Sequence, residues 1–142
     1  MTVPWFVSLL VLLSFLVTAE TKNPALFNGE EDILYERVGC FKDTLAEPRP
    51  LPVLVKNYRW PSQIDWKNLN KTIRACAEEV KDAGFLYFGL QFYGECWSGP
   101  QAHLTYDEDG ESENCKLGVG KARTNFVYRL VIKGKEMSDD GM

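Results

Sequence analysis

The chain contains the stretch Gly89-Leu90-Gln91-Phe92-Tyr93-Gly94-Glu95-Cys96-Trp97-Ser98-Gly99. Aromatic and apolar residues are dense from residue 85 to residue 93, which predicts a β-strand, and Gly94 is placed to end it. Residues 94–99 then predict a turn that holds a cysteine. Cys96 therefore lies where a disulfide could tie this strand to a neighbouring element.

An amphipathic helix is predicted immediately before this strand, over residues 65–84. Its apolar residues recur at spacings of three and four and form one stripe, which consists of Leu69, Ile73, Cys76, Ala77, Val80 and Ala83. Gly84 suits the left-handed position that commonly ends a helix. Because Cys76 falls on the apolar stripe, it should face whatever the helix packs against.

The chain has four cysteines, Cys40, Cys76, Cys96 and Cys115. An even number of widely spaced cysteines behind a secretory leader predicts two disulfides, for which three pairings are possible. A helix cysteine that faces inward, followed by a strand that leads to another cysteine, favours Cys76 with Cys96 and leaves Cys40 with Cys115. Zinc sites usually bring their ligands in close Cys-x2-Cys pairs, and none occurs here, so we expect no metal.

The first 19 residues are predicted to be a signal peptide. Residues 3–19 are apolar and end in small residues, with cleavage expected after Ala19. A membrane anchor is the alternative, but a spanning helix needs about 20 apolar residues, so we expect a secreted protein with no stable membrane insertion. Residues 20–32 should be a flexible N-terminus, residues 33–132 one domain and residues 133–142 a disordered tail.

Other segments predict a sheet. Strands are expected at residues 35–41, 102–106 and 124–132, while Pro48, Pro50 and Pro52 predict an extended loop over residues 47–55. The expected fold class is therefore α+β, with one main helix and two disulfides. The net charge of −4 excludes the basic character typical of nucleic-acid binders.

Several short motifs, in this order and spacing, resemble the WSC domain over Tyr35 to Tyr128. They are Val38-Gly39-Cys40-Phe41-Lys42-Asp43, Thr72-Ile73-Arg74-Ala75-Cys76, Ala83-Gly84-Phe85, Phe88-Gly89-Leu90-Gln91, Gly94-Glu95-Cys96-Trp97 and Phe126-Val127-Tyr128. The resemblance implies a small extracellular module of PAN/apple-like architecture, with a helix packed on a twisted, mostly antiparallel sheet. It also implies a candidate carbohydrate binder.

The chain differs from typical WSC domains in its cysteines, since those domains carry about twice as many. Val80 and Ser98 stand where two of the further cysteines would be. An even number is present and an even number is missing, as loss of whole disulfides would leave. The resemblance is therefore to a divergent, four-cysteine form.

Four residues around Cys96 are the candidate glycan ligands: Gln91, Tyr93, Glu95 and Trp97. Sugars are bound by an aromatic face together with a few rigid polar groups, and these side chains have that chemistry. The alternative is structural, with Trp97 packed over the neighbouring disulfide and Gln91 bonded to the backbone. The candidate partner is thus an extracellular glycan or matrix component.

Three further features have two interpretations each. The acidic loop, formed by Asp107, Glu108, Asp109, Glu111 and Glu113, could bind Ca²⁺ in an extracellular or skeletal matrix protein, or could simply be solvated. Asn70 begins an N-glycosylation sequon, or could cap the helix. His103, the one histidine, could act with Ser98 and an acid of this loop as a catalytic group, or could be a surface or strand residue. Its spacing matches no catalytic signature, so a non-enzymatic protein without a cofactor is expected.

Overall fold

An antiparallel sheet and one long helix make up most of the fold. The computed structural model describes residues 32–133. Its strands are β1 (Tyr35–Lys42), β2 (Val53–Asn57), β3 (Tyr87–Gln91), β4 (Glu95–Ser98), β5 (Cys115–Lys116), β6 (Val119–Gly120) and β7 (Thr124–Leu130), and its helices are α1 (Leu69–Asp82) and α2 (Ala102–Thr105). Five strands form one sheet in the order β1-β7-β3-β4-β2, with all neighbours antiparallel, while β5 and β6 form a separate pair. The α+β prediction is confirmed.

The main core lies between α1 and one face of the sheet. Ile73, Cys76 and Val80 of α1 are buried in one cluster with Phe88 and Leu90 of β3. Side chains along a strand alternate between the two faces, so Phe88 and Leu90 meet the helix while their neighbours face away from it. The predicted stripe is therefore correct except for Ala83, which is exposed because the helix has already ended there. Gly84 follows with a left-handed φ of +78°, as predicted.

A smaller cluster covers the opposite face of the sheet. It consists of Phe41, Leu51, Ala102 and Val127, with Trp97 packed against it. The proline-rich segment supplies Leu51, and the hydroxyl of Thr105 in α2 donates a hydrogen bond of 2.6 Å to the carbonyl oxygen of Pro50. The proline segment and α2 therefore form a second layer, on the face away from α1.

Both disulfides have the favoured pairing. Cys76 bonds to Cys96, and Cys40 bonds to Cys115. Cys76 and Cys96 are fully buried between the helix and the sheet. Val80 and Ser98, at the positions of the further family cysteines, are buried as well. Both positions at which the WSC resemblance places further cysteines therefore lie in the interior.

Three predicted segments need correction. Residues 102–106 begin with the helix α2 instead of a strand, because Ala102 packs into the smaller cluster and the amide of Tyr106 donates to the Ala102 carbonyl. The predicted loop over residues 47–55 ends in the edge strand β2, since all three prolines precede it. The predicted turn over residues 94–99 is mostly the strand β4. Proline next to β2 is tolerated because β2 is an edge strand, and one side of an edge strand makes no hydrogen bonds to another strand.

The predicted signal peptide, the flexible N-terminus up to residue 31 and the predicted tail from residue 134 onward lie outside the described residues. Within residues 32–133, no helix is both long enough and apolar enough to cross a membrane.

Buried tyrosines should make the fold sensitive to alkali. Burial raises the pKa of Tyr128 to about 12, and burial is also the main cause of the raised pKa values of Tyr58 and Tyr35. Unfolded tyrosines ionise near pH 10, so from about pH 10 upward the unfolded chain loses protons that the folded chain retains. We therefore expect the urea midpoint of unfolding to be nearly constant between about pH 7 and pH 9 and to fall progressively as pH rises through 10 towards 12.

Tyrosinate absorbance during the same titration checks the cause. The hydroxyl of Tyr128 donates a 2.7 Å hydrogen bond to the carbonyl oxygen of Gly118, so Tyr128→Phe should lower stability at neutral pH and reduce the alkaline slope. A midpoint that does not change up to about pH 11 would contradict the burial of these hydroxyls.

Candidate functional site

The β3–β4 hairpin brings three of the four predicted ligand residues together. Gln91 pairs with Glu95, and Gly89 pairs with Trp97, so Gln91, Glu95 and Trp97 point to the same face, away from α1. They line a cavity of about 310 Å³, which is within the usual range for ligand pockets. We call it the Arg49 cavity; its other lining residues are Leu45, Arg49, Phe92, Ala122 and Arg123.

Arg49 is the central group of this cavity. Its Nε and Nη2 donate to Oδ2 of Asp43 at 3.2 and 2.6 Å, and Nη2 also donates to Oε1 of Gln91 at 2.9 Å. The Asp43 side chain is fully buried and that of Arg49 is 14% exposed. Within residues 32–133, Nη1 of Arg49 has no hydrogen-bond partner. A charged group is thus rigidly held with two N–H donors left for a ligand.

The Trp97 ring packs against the guanidinium of Arg49. The guanidinium carbon of Arg49 lies 3.8 Å from the centre of the Trp97 ring, a close cation–π contact. The indole Nε1 donates to Oε2 of Glu95 at 3.1 Å, which fixes that carboxylate at the cavity. One face of Trp97 is therefore already occupied, so this ring positions Arg49 and Glu95.

The two specific contacts of the structural alternative are not formed, although Trp97 does pack against the smaller cluster. Cys96 lies on the helix side of β4 and Trp97 on the other side, so Trp97 does not pack over the disulfide. Among residues 32–133, the side-chain oxygen of Gln91 accepts a hydrogen bond from Arg49 and none from the backbone. Both residues belong to one polar cluster with Arg49.

Tyr93 lies apart from the other three predicted residues. It lines a second cavity of about 460 Å³, together with Trp66, Leu69, Lys116 and Leu117, which we call the Trp66 cavity. The separation arises in the hairpin turn, where Phe92 and Tyr93 both have left-handed φ values of 47° and 68°. The alternation of the strand ends there, so Phe92 lines one cavity and Tyr93 the other.

Sequence reasoning missed Arg49, Asp43, Arg123 and Trp66. Arg49 lies between two prolines, and that composition predicts only a loop. Its partner Gln91 is 42 residues away, and no local pattern reveals such a contact. A buried carboxylate needs a cation close by, so the burial of Asp43 would have indicated a basic partner. That burial is visible only in the fold.

The acidic loop, Asn70 and His103 line neither of the two cavities. Asp109 accepts hydrogen bonds from the amide and hydroxyl of Thr44 at 2.8 and 3.0 Å. Among residues 32–133, no group of three or more His, Cys, Asp and Glu side chains is placed to hold a metal ion. Asn70 is exposed and the helix cap is Asn68, so the sequon remains a prediction of glycosylation. His103 is exposed on α2.

Comparison with known proteins agrees with this architecture. The family model described as WSC domain matches residues 37–119, more than half of the chain. A curated relative, xylosyltransferase sqv-6 of Caenorhabditis briggsae, is 33% identical over 90 residues, which are 63% of this chain. The chain spans only 10% of the length of that relative. The motifs around Cys40, Cys76 and Cys96 thus identify the family correctly, and the chain belongs to the WSC domain family.

Proposed function

We propose that this protein is a secreted, non-enzymatic module that binds glycan through the Arg49 cavity. Export is supported by the predicted signal peptide and by two disulfides, which form and persist in oxidising compartments. Glycan binding is supported by membership of a family of extracellular carbohydrate-binding-type modules. The similarity to a xylosyltransferase covers a tenth of that enzyme, so its activity does not carry over to this chain.

The main support for glycan binding is the guanidinium of Arg49, which Asp43 and Gln91 hold in a fixed position at the cavity. Sugar hydroxyls accept and donate hydrogen bonds, so they are recognised best by pairs of fixed donors and acceptors. Nη1 of Arg49 supplies donors, and the Glu95 carboxylate, held by Trp97, supplies an acceptor. Leu45 and the part of the Phe92 ring that Arg59 leaves exposed add apolar surface at the same cavity for the C–H groups of a sugar.

Glu95→Gln tests the site directly. The amide keeps the shape of the side chain but removes the charge, so the acceptor weakens and affinity for a bound glycan should fall about tenfold. The matched control is Glu113→Gln, which removes a charge from the exposed acidic loop and should leave affinity unchanged. Binding of the mature protein on a glycan array, followed by titration of the best ligand, measures both.

The result also distinguishes the matrix alternative. Glycan binding should persist when a chelator removes Ca²⁺, whereas a matrix role for the acidic loop requires Ca²⁺-dependent association. Equal glycan affinities for the Glu95 and Glu113 variants would show that the glycan does not bind at the Arg49 cavity. An array on which the folded protein binds no glycan would contradict the proposed function itself.

A further inference from the structure

Three partly exposed aromatic rings connect the two cavities. The Phe92 and Tyr93 rings lie 6.3 Å apart, and the Tyr93 and Trp66 rings lie 5.5 Å apart, measured between ring centres. Phe92 is 39% exposed and Trp66 is 61% exposed. Because Phe92 lines the Arg49 cavity while Tyr93 and Trp66 line the Trp66 cavity, these rings form a continuous aromatic ridge between them.

The ridge is held rigidly at the hairpin turn. Left-handed φ values are uncommon for aromatic residues, and two in succession persist only when the surroundings enforce them. The amides of Phe92 and Tyr93 donate to the carbonyl oxygens of Lys121 and Gly120 at 3.1 and 2.8 Å. Arg59 lies 3.3 Å from the Phe92 ring centre and donates to the Phe92 carbonyl oxygen at 2.6 Å. Strain of this kind often marks a binding surface.

The charges along this path are mainly positive, although the whole chain has a net charge of −4. Lys116 lines the Trp66 cavity, Arg59 stacks on the ridge and Arg123 lines the Arg49 cavity. Within residues 32–133, neither Lys116 nor Arg123 forms an ion pair. Glu95 is the carboxylate among the residues that line the two cavities, and Asp43 is neutralised by Arg49. An anionic ligand matches this path better than a neutral one.

We propose that the ligand is an acidic oligosaccharide long enough to extend from the Arg49 cavity over the aromatic ridge into the Trp66 cavity. This inference rests on the proposed glycan-binding function. Trp66, with its exposed ring, provides the stacking face that Trp97 cannot offer beneath Arg49. Carboxylate or sulfate groups of the sugar chain meet Arg123, Arg59 and Lys116 along the path.

A chain-length series tests the proposal on the mature protein. The probes are labelled oligosaccharides of alternating uronic acid and hexosamine, from disaccharide to octasaccharide, and their carboxyl-reduced neutral counterparts. Affinity should rise with length until both cavities are filled, and the acidic series should bind more tightly, with an advantage that shrinks as salt is added. Trp66→Ala should abolish the gain from length, a loss of about tenfold for the longest probe, and should leave disaccharide affinity unchanged.

Trp60→Ala is the matched control. Trp60 lies in the same loop and is 83% exposed, but it makes no ring contact among the described residues and lines neither cavity. It should bind every probe as the unchanged protein does, and both variants should keep their circular dichroism spectra. If affinity depended on probe length equally in the Trp66 and Trp60 variants, the aromatic ridge would not be part of the binding surface. Equal affinity for acidic and neutral probes would contradict an acidic ligand. Binding confined to Glu95-dependent small sugars would leave the proposed function standing without this extension.

Discussion

Gly120→Ala is expected to destabilise the protein by more than about 4 kcal/mol, among the largest effects a single methyl group can have. A Cβ at this position would lie 1.8 Å from the carbonyl oxygen of Thr124 and 2.8 Å from that of Leu90. Both neighbours are backbone atoms at strands β7 and β3, so neither can rotate away as a side chain would. Relief requires moving the start of β7, which pairs with the centre of the sheet.

Gly84→Ala is the matched control for this substitution. Gly84 has a left-handed φ of +78° but no atom within 4 Å of an added Cβ, so only backbone strain applies, about 1 kcal/mol. Equilibrium urea unfolding of both variants, followed by tryptophan fluorescence, measures the difference. Similar small losses in the two would mean that residues 120 and 124 do not approach as closely as described.

Arg49→Met is expected to cost about 3–5 kcal/mol of folding stability, because it leaves a buried charge without its partner. The Asp43 side chain is fully buried and receives two hydrogen bonds from Arg49. Methionine retains much of the apolar stem but cannot donate to that carboxylate. Glycan affinity should also fall in the fraction that remains folded, since Nη1 is lost.

Two further variants separate the charge effect from lost packing. Arg49→Met combined with Asp43→Asn should recover a large part of the lost stability, since removing both charges is less costly than removing one. Arg123→Met at the exposed rim of the same cavity should change stability by less than about 0.5 kcal/mol. If the double variant were as unstable as Arg49→Met alone, the loss would come from packing and not from the orphaned Asp43 carboxylate.

Long periodic elements were predictable because their signal is repeated many times. Helix α1 carries an apolar residue on one stripe in every turn, and Gly84 ends it at the expected place. The same stripe favoured the pairing of Cys76 with Cys96, because a helix that packs on the next strand turns its inward-facing cysteine towards that strand. Short elements were not predictable in the same way, because α2 has four residues and β4 has four. A few residues cannot distinguish a period of 3.6 from a period of two.

The linear chain carried enough information to indicate the family and the α+β class, to favour the disulfide pairing that is found, and to pick out three of the residues that line one cavity. The fold class and the favoured pairing rest on local periodicity, whereas the family rests on the resemblance of short motifs and the cavity residues on side-chain chemistry next to Cys96. Tertiary structure alone decided that Tyr93 points to a different cavity, that Arg49 covers Trp97, and that Trp66 joins the exposed rings. The reason is that two left-handed residues break the strand alternation and that the contact of Arg49 with Gln91 joins segments far apart in the chain, so neither leaves a pattern in the neighbouring residues.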